Sequence, residues 1–591
     1  MTERRPVRIA NCSGFYGDRV AAAREVVEGG PIDVLTGDYL AELTMLILWK
    51  ARQKDPDGGY AKTFLTQMEQ VLGTCLDRGI RIVSNAGGLN PAGLTVKLHE
   101  LAERLGLAPR IAYIRGDDIV GRIGELLAAG HDLANLDTGQ PLRMAGVEPV
   151  TANAYLGAFG IAEALAAGAD IVVCPRVTDA SLTVGPAAWW HGWTRTDYDA
   201  LAGAVVAGHV IECGPQATGG NHSWFHEITD RRYPGSPIAE VAADGSSVIT
   251  KHSDTGGLVS PDTVIGQLLY EISGPDYAGP DVVAHFDTAR VLQEAPQRVS
   301  ITGVQGSPPP DTLKVALNYL GGYRNTMTLV LTGLDIEEKA AWAQEQLFGI
   351  LGGREQFAET DVRLIRSDHL DASTNEQATA HLRITVKDPD AAKVGRRFSD
   401  ATMELYLGGY PGFHTTTPPT PPSSYGVYWP ALVPATLVAH EVVLPGGQIR
   451  RIDQPPKTEE VVTRTPPPVA AVAPGGPTRR VPLGRVCAAR SGDKGGNANV
   501  GLWVTDARAY SWLRDHLTVD RFLELLPEAA GLTVNRYELP NLNALNFVVV
   551  GLLGAGVAAS TRPDPQAKGL GEYIRSRHVD VPEALLRAGG A

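Results

Sequence analysis

The chain has 591 residues, 43% of them hydrophobic and 20% charged, with a formal net charge of -13. That length exceeds one hydrophobic core and calls for roughly two to four domains. The acidic balance and the lack of an apolar run of about 18 residues exclude nucleic-acid binding and membrane insertion as expected modes of action.

From the N-terminus, "MTERRPVRIANCSG" passes straight into strand-like sequence with no apolar segment of signal-peptide length, so a cytoplasmic location is expected. Strand signals in "VRIAN", "IDVLTG", "IRIVSNAGG", "RIAYIRGDD" and "IVVCPRVTD" alternate with helical stretches such as "RVAAAREVVEGG" and "PAGLTVKLHELAERLG". Short apolar runs separated by helices of ten or more residues imply βαβ units, and a parallel-sheet α/β domain is expected over 1–289. Each strand ends in polar residues: Asn11 and Ser13, Thr36 and Asp38, Asn85, Asp117 and Asp118, Arg176 and Asp179. Ligands bind outside the carboxyl ends of parallel strands, so these residues are expected to converge, although βα loops are also polar for capping and turns.

From about Arg290 the pattern becomes strand, helix, two strands, helix, strand, with "ATLVAHEVVLPGG" as the closing strand. This is the split βαβ order of a ferredoxin-like α+β region, expected over 290–453 and interrupted by an irregular loop in "PGFHTTTPPTPPSSYGVYWP". A proline-rich linker follows over 454–480. The last domain, 481–591, reads as strands near "GRVCAA" and "ANVGLWV", one helix from Ala507 to Leu526, and strands "LTVNRYEL" and "ALNFVVVGLL".

Chemistry-bearing residues cluster in four places. A guanidinium at a strand end beside a helix start suits a carboxylate or phosphate, which singles out Arg176, with Asp179 either capping the next helix or transferring protons. Asp117 is the better of a carboxylate pair for proton transfer. In "ECGPQATGGNHSWFHE", His222 and His226 lie four apart beside Asn221, but the glutamate of an HExxH metal site is missing, so acid–base work is preferred and no metal is assigned. "SNAGG" offers Gly87 and Gly88 as an anion cradle, and no GxGxxG, P-loop or GxSxG motif occurs in a suitable context. In "CAARSGDKGGNANVG", Ser491, Asp493, Lys494 and Asn497 form either an ordinary hairpin turn or an anion-binding concavity with Lys494 supplying charge. Cys12, Cys75, Cys174, Cys213 and Cys487 are odd in number and widely spaced, as expected of free thiols in a reducing compartment.

The segments "ANCSGFYGDR", "LTGDYLAELTM", "SNAGGLNP", "GDDI", "NAYLGAFGIAEALAAGADIVVCPRVTDASL" and "GPQATGGNHSWF" resemble the acyclic terpene utilisation AtuA family. "ARSGDKGGNANVG" resembles the small ferredoxin-like domain appended in longer members. The resemblance implies a soluble catabolic protein associated with acyclic isoprenoids such as citronellol and geraniol, whose intermediates are branched acyl-CoA thioesters. It supplies no established reaction. The expected function is hydratase, dehydratase or lyase chemistry on an acyl-CoA or carboxylate, with the CoA thioester as substrate, no cofactor and a homo-oligomeric state. A non-catalytic ligand-binding or assembly subunit and a metal-dependent hydrolase stand as alternatives.

Overall fold

In the computed structural model, which describes residues 4–466 and 469–586, the centre of the largest sheet is a set of buried parallel strands. Residues 1–3, 467–468 and 587–591 lie outside the described residues, and with them the ends of the expected terminal domains and two linker prolines. The first eight strands of the chain are β1 (Val7–Asn11), β2 (Val34–Gly37), β3 (Arg81–Ser84), β4 (Ile111–Arg115), β5 (Thr151–Ala154), β6 (Ile171–Val173), β7 (Ile238–Val241) and β8 (Ser247–Thr250); all but β5, which pairs with Thr312–Thr332, belong to this sheet. Pairing runs β1-β2-β3-β6-β4, all parallel. β2 and β6 are buried throughout, as apolar strands covered by helices on both faces must be.

The helices follow local rules. Lys62–Arg78 turns Phe64, Met68, Val71, Leu72 and Cys75 inward and ends at the left-handed Gly79. Pro91–Arg104 opens with proline at its first turn, and the Asn90 side chain accepts from the Gly93 N–H at 2.9 Å.

The expected parallel sheet of the N-terminal domain is parallel at its centre and antiparallel at its edges. β7 runs antiparallel to β1, β8 antiparallel to β7, and the hairpin Arg298–Thr302/Arg290–Ala295 extends that edge. Short turns at Asp244–Gly245 and Pro296–Gln297 leave no chain for a parallel crossover. At the other edge Glu441–Val443 pairs antiparallel with β4. "ATLVAHEVVLPGG" therefore adds to this sheet and does not close the ferredoxin-like region. Gly116, at φ 109°, permits the crossing: a Cβ there would lie 1.5 Å from the Ala439 carbonyl oxygen.

The described chain divides into two compact units: Met1–Asn318 with Tyr428–Val557 and Asp564–Ala591, and Tyr319–Val427 with Ala558–Pro563. In the second, strands Glu359–Ile365 and Thr379–Asp388 pair beside the long strand Thr312–Thr332. Helices Ile336–Leu351 and Arg396–Gly408 share its core through Ala343, Leu347, Phe398 and Leu405. His414–Thr415 and Ser423–Pro434 also pair with the long strand, so the segment expected as an irregular loop contributes sheet. Its prolines fall mostly between these two strands, at 418, 419, 421 and 422.

The C-terminal segment of the first unit forms an antiparallel sheet in the order Ala488–Lys494, Asn497–Trp503, Ala544–Val549, Val534–Leu539. The single helix expected over 507–526 is two helices, Ala507–His516 and Val519–Leu525, because Thr518 breaks the run and caps the second through Arg521 N–H at 3.2 Å. Among the described residues, 452–477 contain no helix or strand.

Candidate functional site

The carboxyl ends of β1, β2, β3 and β6 place Asn11, Ser13, Asp38, Asn85 and Arg176 along one edge, all buried. Asn85 donates to Asp38 Oδ1 at 2.6 Å and accepts from the Tyr39 N–H at 2.7 Å, holding the end of β2 against the end of β3. Ser13 donates to the Phe15 carbonyl at 3.1 Å. Arg176 sits at 2% exposure, donates to the Leu40 carbonyl and to Asp179, and lies 4.4 Å from the centre of the Tyr155 ring. Its Nε is buried without a partner. Burial works against the guanidinium, but Asp179, Tyr155 and Asp38 outweigh it and raise its pKa, so the charge is fixed. Asp179 does not cap the helix Ser181–His191; its carboxylate faces Arg176 instead.

Three groups absent from the sequence reading complete this cluster. Glu212, at the end of the buried helix Tyr198–Ile211, has one carboxylate oxygen 3.1 Å from His209 Nδ1 and the other buried without a partner. Burial, then Asp179 and Glu271, push its pKa well above the usual carboxylate range. Asp38 is raised in the same way, by burial and then by Asp179. Glu271 is also raised, chiefly by burial. His209 is lowered to about 4 by burial and by Lys494, so it is neutral at pH 7. The result is a set of carboxyl groups with raised pKa values beside the fixed Arg176 guanidinium, an arrangement suited to general acid–base chemistry. The missed signal was a histidine and a glutamate three residues apart within an otherwise apolar helix, "AVVAGHVIECG".

The C-terminal hairpin reaches the same place. Lys494 Nζ lies 5.9 Å from the centre of the Tyr277 ring and acts through space on His209, Glu212 and Glu271. Asp493 has its pKa raised by burial and by Glu271 and Glu42. Lys568 stands 3.3 Å from Glu271 and 3.9 Å from Asp493. The glycine-rich segment is a two-residue hairpin turn with Gly495 at φ 62°, and its donors are taken up by the chain's own Asp137 side chain. Gly496 N–H and Asn497 Nδ2 donate to that carboxylate at 3.1 and 2.8 Å. Ser491 accepts from Gly571 N–H at 2.8 Å, a contact that anchors the strand and leaves Asp493 and Lys494 as the hairpin's charged groups at the cluster.

Other sequence-derived candidates are placed apart. Asp117 accepts from Asn153 at 2.7 Å and from the Arg176 N–H at 3.3 Å; burial pushes its pKa up to about 7. It clamps the backbone that carries Arg176. A Cβ on Gly87 would meet the Cys174 carbonyl at 2.6 Å and one on Gly88 would meet Leu48 at 2.3 Å, so both glycines serve close packing. His222 is buried, its Nε2 lacks a partner, and burial lowers its pKa. It lines a narrow niche with Asn221, Gln216, Asp262, Arg490 and Trp503. His226 is exposed in the turn Phe225–Glu227 against the Phe225 ring, so the two histidines do not converge. A depression of about 290 Å³ lined by Asp199, Asp244, Ser246 and Thr302 lies away from the charged cluster.

Fold and site together define a mixed α/β protein whose strand-end cluster is completed by a small appended domain. Residues 7–444 match the model of acyclic terpene utilisation family protein AtuA, and residues 481–580 match the AtuA ferredoxin-like domain. The chain belongs to the acyclic terpene utilisation AtuA family. No curated protein and no solved structure matches it. Membership associates the chain with acyclic terpene utilisation and is consistent with a catabolic role. Among the described residues no helix is long and apolar enough to cross a membrane.

Proposed function

We propose that the chain is a catabolic enzyme of acyclic isoprenoid or branched-chain acyl-CoA breakdown, working by hydration, dehydration or a related lyase reaction. The observation that carries this reading is the pairing of two buried carboxyl groups with raised pKa values, Asp38 and Glu212, with the buried Arg176 guanidinium and Lys494. The unpartnered Arg176 Nε and the Lys494 ammonium are suited to an anionic or carbonyl oxygen of the substrate. In its ionised form Glu212, a stronger base for its raised pKa, is suited to accept through its unpartnered oxygen a proton from the carbon next to that carbonyl. A neighbouring carboxyl that keeps its proton near neutrality can deliver it to a departing hydroxyl, which balances an elimination; the reverse order gives hydration.

The test is a mass-spectrometric turnover screen of the purified chain with geranyl-CoA, 3-methylcrotonyl-CoA, their hydrated relatives and the matching free acids. A product differing by one water supports the proposal, and a Glu212→Gln variant should abolish it. Turnover that persists in Glu212→Gln combined with Asp38→Asn would overturn these roles. Thermal stabilisation by a ligand without turnover would favour a binding subunit.

A further inference from the structure

We propose that Asp276, His285 and Asp287 form a binding site for one divalent transition-metal ion, of which Zn²⁺ is the representative. The site stands apart from any reaction at the charged cluster. His285 and Asp276 face each other across the antiparallel strands Val283–His285 and Asp276–Ala278, and Asp287 follows in the turn Phe286–Thr288. One ligand atom from each of the three lies within 4.8 Å of the others. Donors around a single Zn²⁺ at about 2.0–2.2 Å stand roughly 3–4 Å apart, a spacing these side chains reach by small rotations.

Two further observations point to a cation. The Asp276 side chain is only 4% exposed, yet its Oδ2 has no hydrogen-bond partner, and neither has the buried Oδ1 of Asp287. Among the described residues neither carboxylate forms an ion pair with a lysine or arginine. Two buried carboxylate oxygens left this way are costly unless a positive group satisfies them. His285 is arranged as metal-bound histidines are: Nδ1 is directed at the carboxylates, 2.6 Å from Asp276 Oδ1, while Nε2 is 3.0 Å from Ser307 Oγ. A second-sphere hydrogen bond of that kind fixes the ring and its tautomer. One imidazole with two carboxylates suits borderline ions better than Mg²⁺ or Ca²⁺, which prefer all-oxygen shells. The ion would brace the strands that carry Tyr277 and Phe286, whose rings stack at 5.2 Å and pack against His209.

The full chain, stripped with a chelator and then dialysed against Zn²⁺, is expected to retain one equivalent by elemental mass spectrometry and to melt at a higher temperature. Asp276→Asn and Asp287→Asn should each lower the retained zinc at least tenfold, while His226→Ala, which removes an exposed histidine, should leave it at one equivalent. Circular dichroism verifies the fold of each variant. Co²⁺ loaded into the unaltered chain supplies a readout that needs no variant, the visible absorption of a nitrogen–oxygen site. Zinc no higher than in a protein-free blank, an equivalent that survives Asp287→Asn, one that disappears with His226→Ala, or absence of the Co²⁺ bands would each overturn the site. Equal retention of Mg²⁺ would overturn the assignment to a transition metal.

Discussion

Removing the Arg176 guanidinium would leave Asp38 and Asp179 facing each other without a counter-charge, in surroundings where Arg176 itself is almost fully buried. Arg176→Met is expected to destabilise the fold by about 3 kcal/mol in chemical denaturation and to abolish turnover, because a stranded buried charge costs more than the pair contributed. Arg176→Lys keeps the charge but loses the planar contact with Tyr155 and the fork to Leu40 and Asp179, so a raised KM with a smaller stability loss is expected. Asp117 makes a pH prediction. Its folded pKa of about 7 lies above the ordinary carboxylate value, so its contribution to stability is complete below about pH 4 and is lost as pH rises through 7. Asp117→Asn keeps an acceptor for Asn153 and the Arg176 N–H, and should flatten the fall in melting temperature between pH 4 and 7, a span worth at most about 4 kcal/mol by linkage. Elimination that needs Asp38 in its protonated form should likewise decline on the alkaline side.

At the scale of elements, the hairpin joining Ala488–Lys494 to Asn497–Trp503 depends on its grip on Asp137. Asp137→Ala leaves the Gly496 N–H and the Asn497 amide without that acceptor, at a cost of about 1–2 kcal/mol. Because Lys494 rides on the same turn, KM should rise more than kcat falls, which steady-state kinetics of the variant would resolve. The central strands were legible because "VRIAN", "IVV" and their neighbours are short, largely apolar runs spaced by helices. The antiparallel flanks were less so: a strand of three or four residues, such as Glu441–Val443, carries too little periodicity to announce its partners. Arg176, Asp38 and Asn85 were found because strand ends gather polar residues. Glu212 and Glu271 were not, since each sits in an apolar stretch where only the folded arrangement brings the carboxylates together.

On the scale of the whole molecule, the appended domain is bound to the α/β part of its own unit by specific polar contacts. Ser223 exchanges hydrogen bonds with the Ala489 backbone at 2.8 and 3.0 Å, Asn499 accepts from Glu271 N–H at 2.8 Å, and Trp503 donates to Asp262 at 2.9 Å. A chain ending at 480 should therefore lose both its activity and the thermal shift produced by substrate, while Lys494→Met in the full chain should lose activity with its melting temperature little changed. An unaltered response in the truncated chain would show that the domain is dispensable to the site.

The position of Lys494 and Lys568 late in the chain has a consequence for synthesis. Strands β1 to β6 leave the ribosome hundreds of residues before either lysine, and domains generally fold as they emerge. During that interval Asp38, Glu212 and Glu271 must remain hydrated or protonated with Arg176 as their near cation, so a nascent chain carries an open and unfinished site. On the proposed function, the site is complete only once both lysines have been made and Leu570–Ser576 docks behind the hairpin.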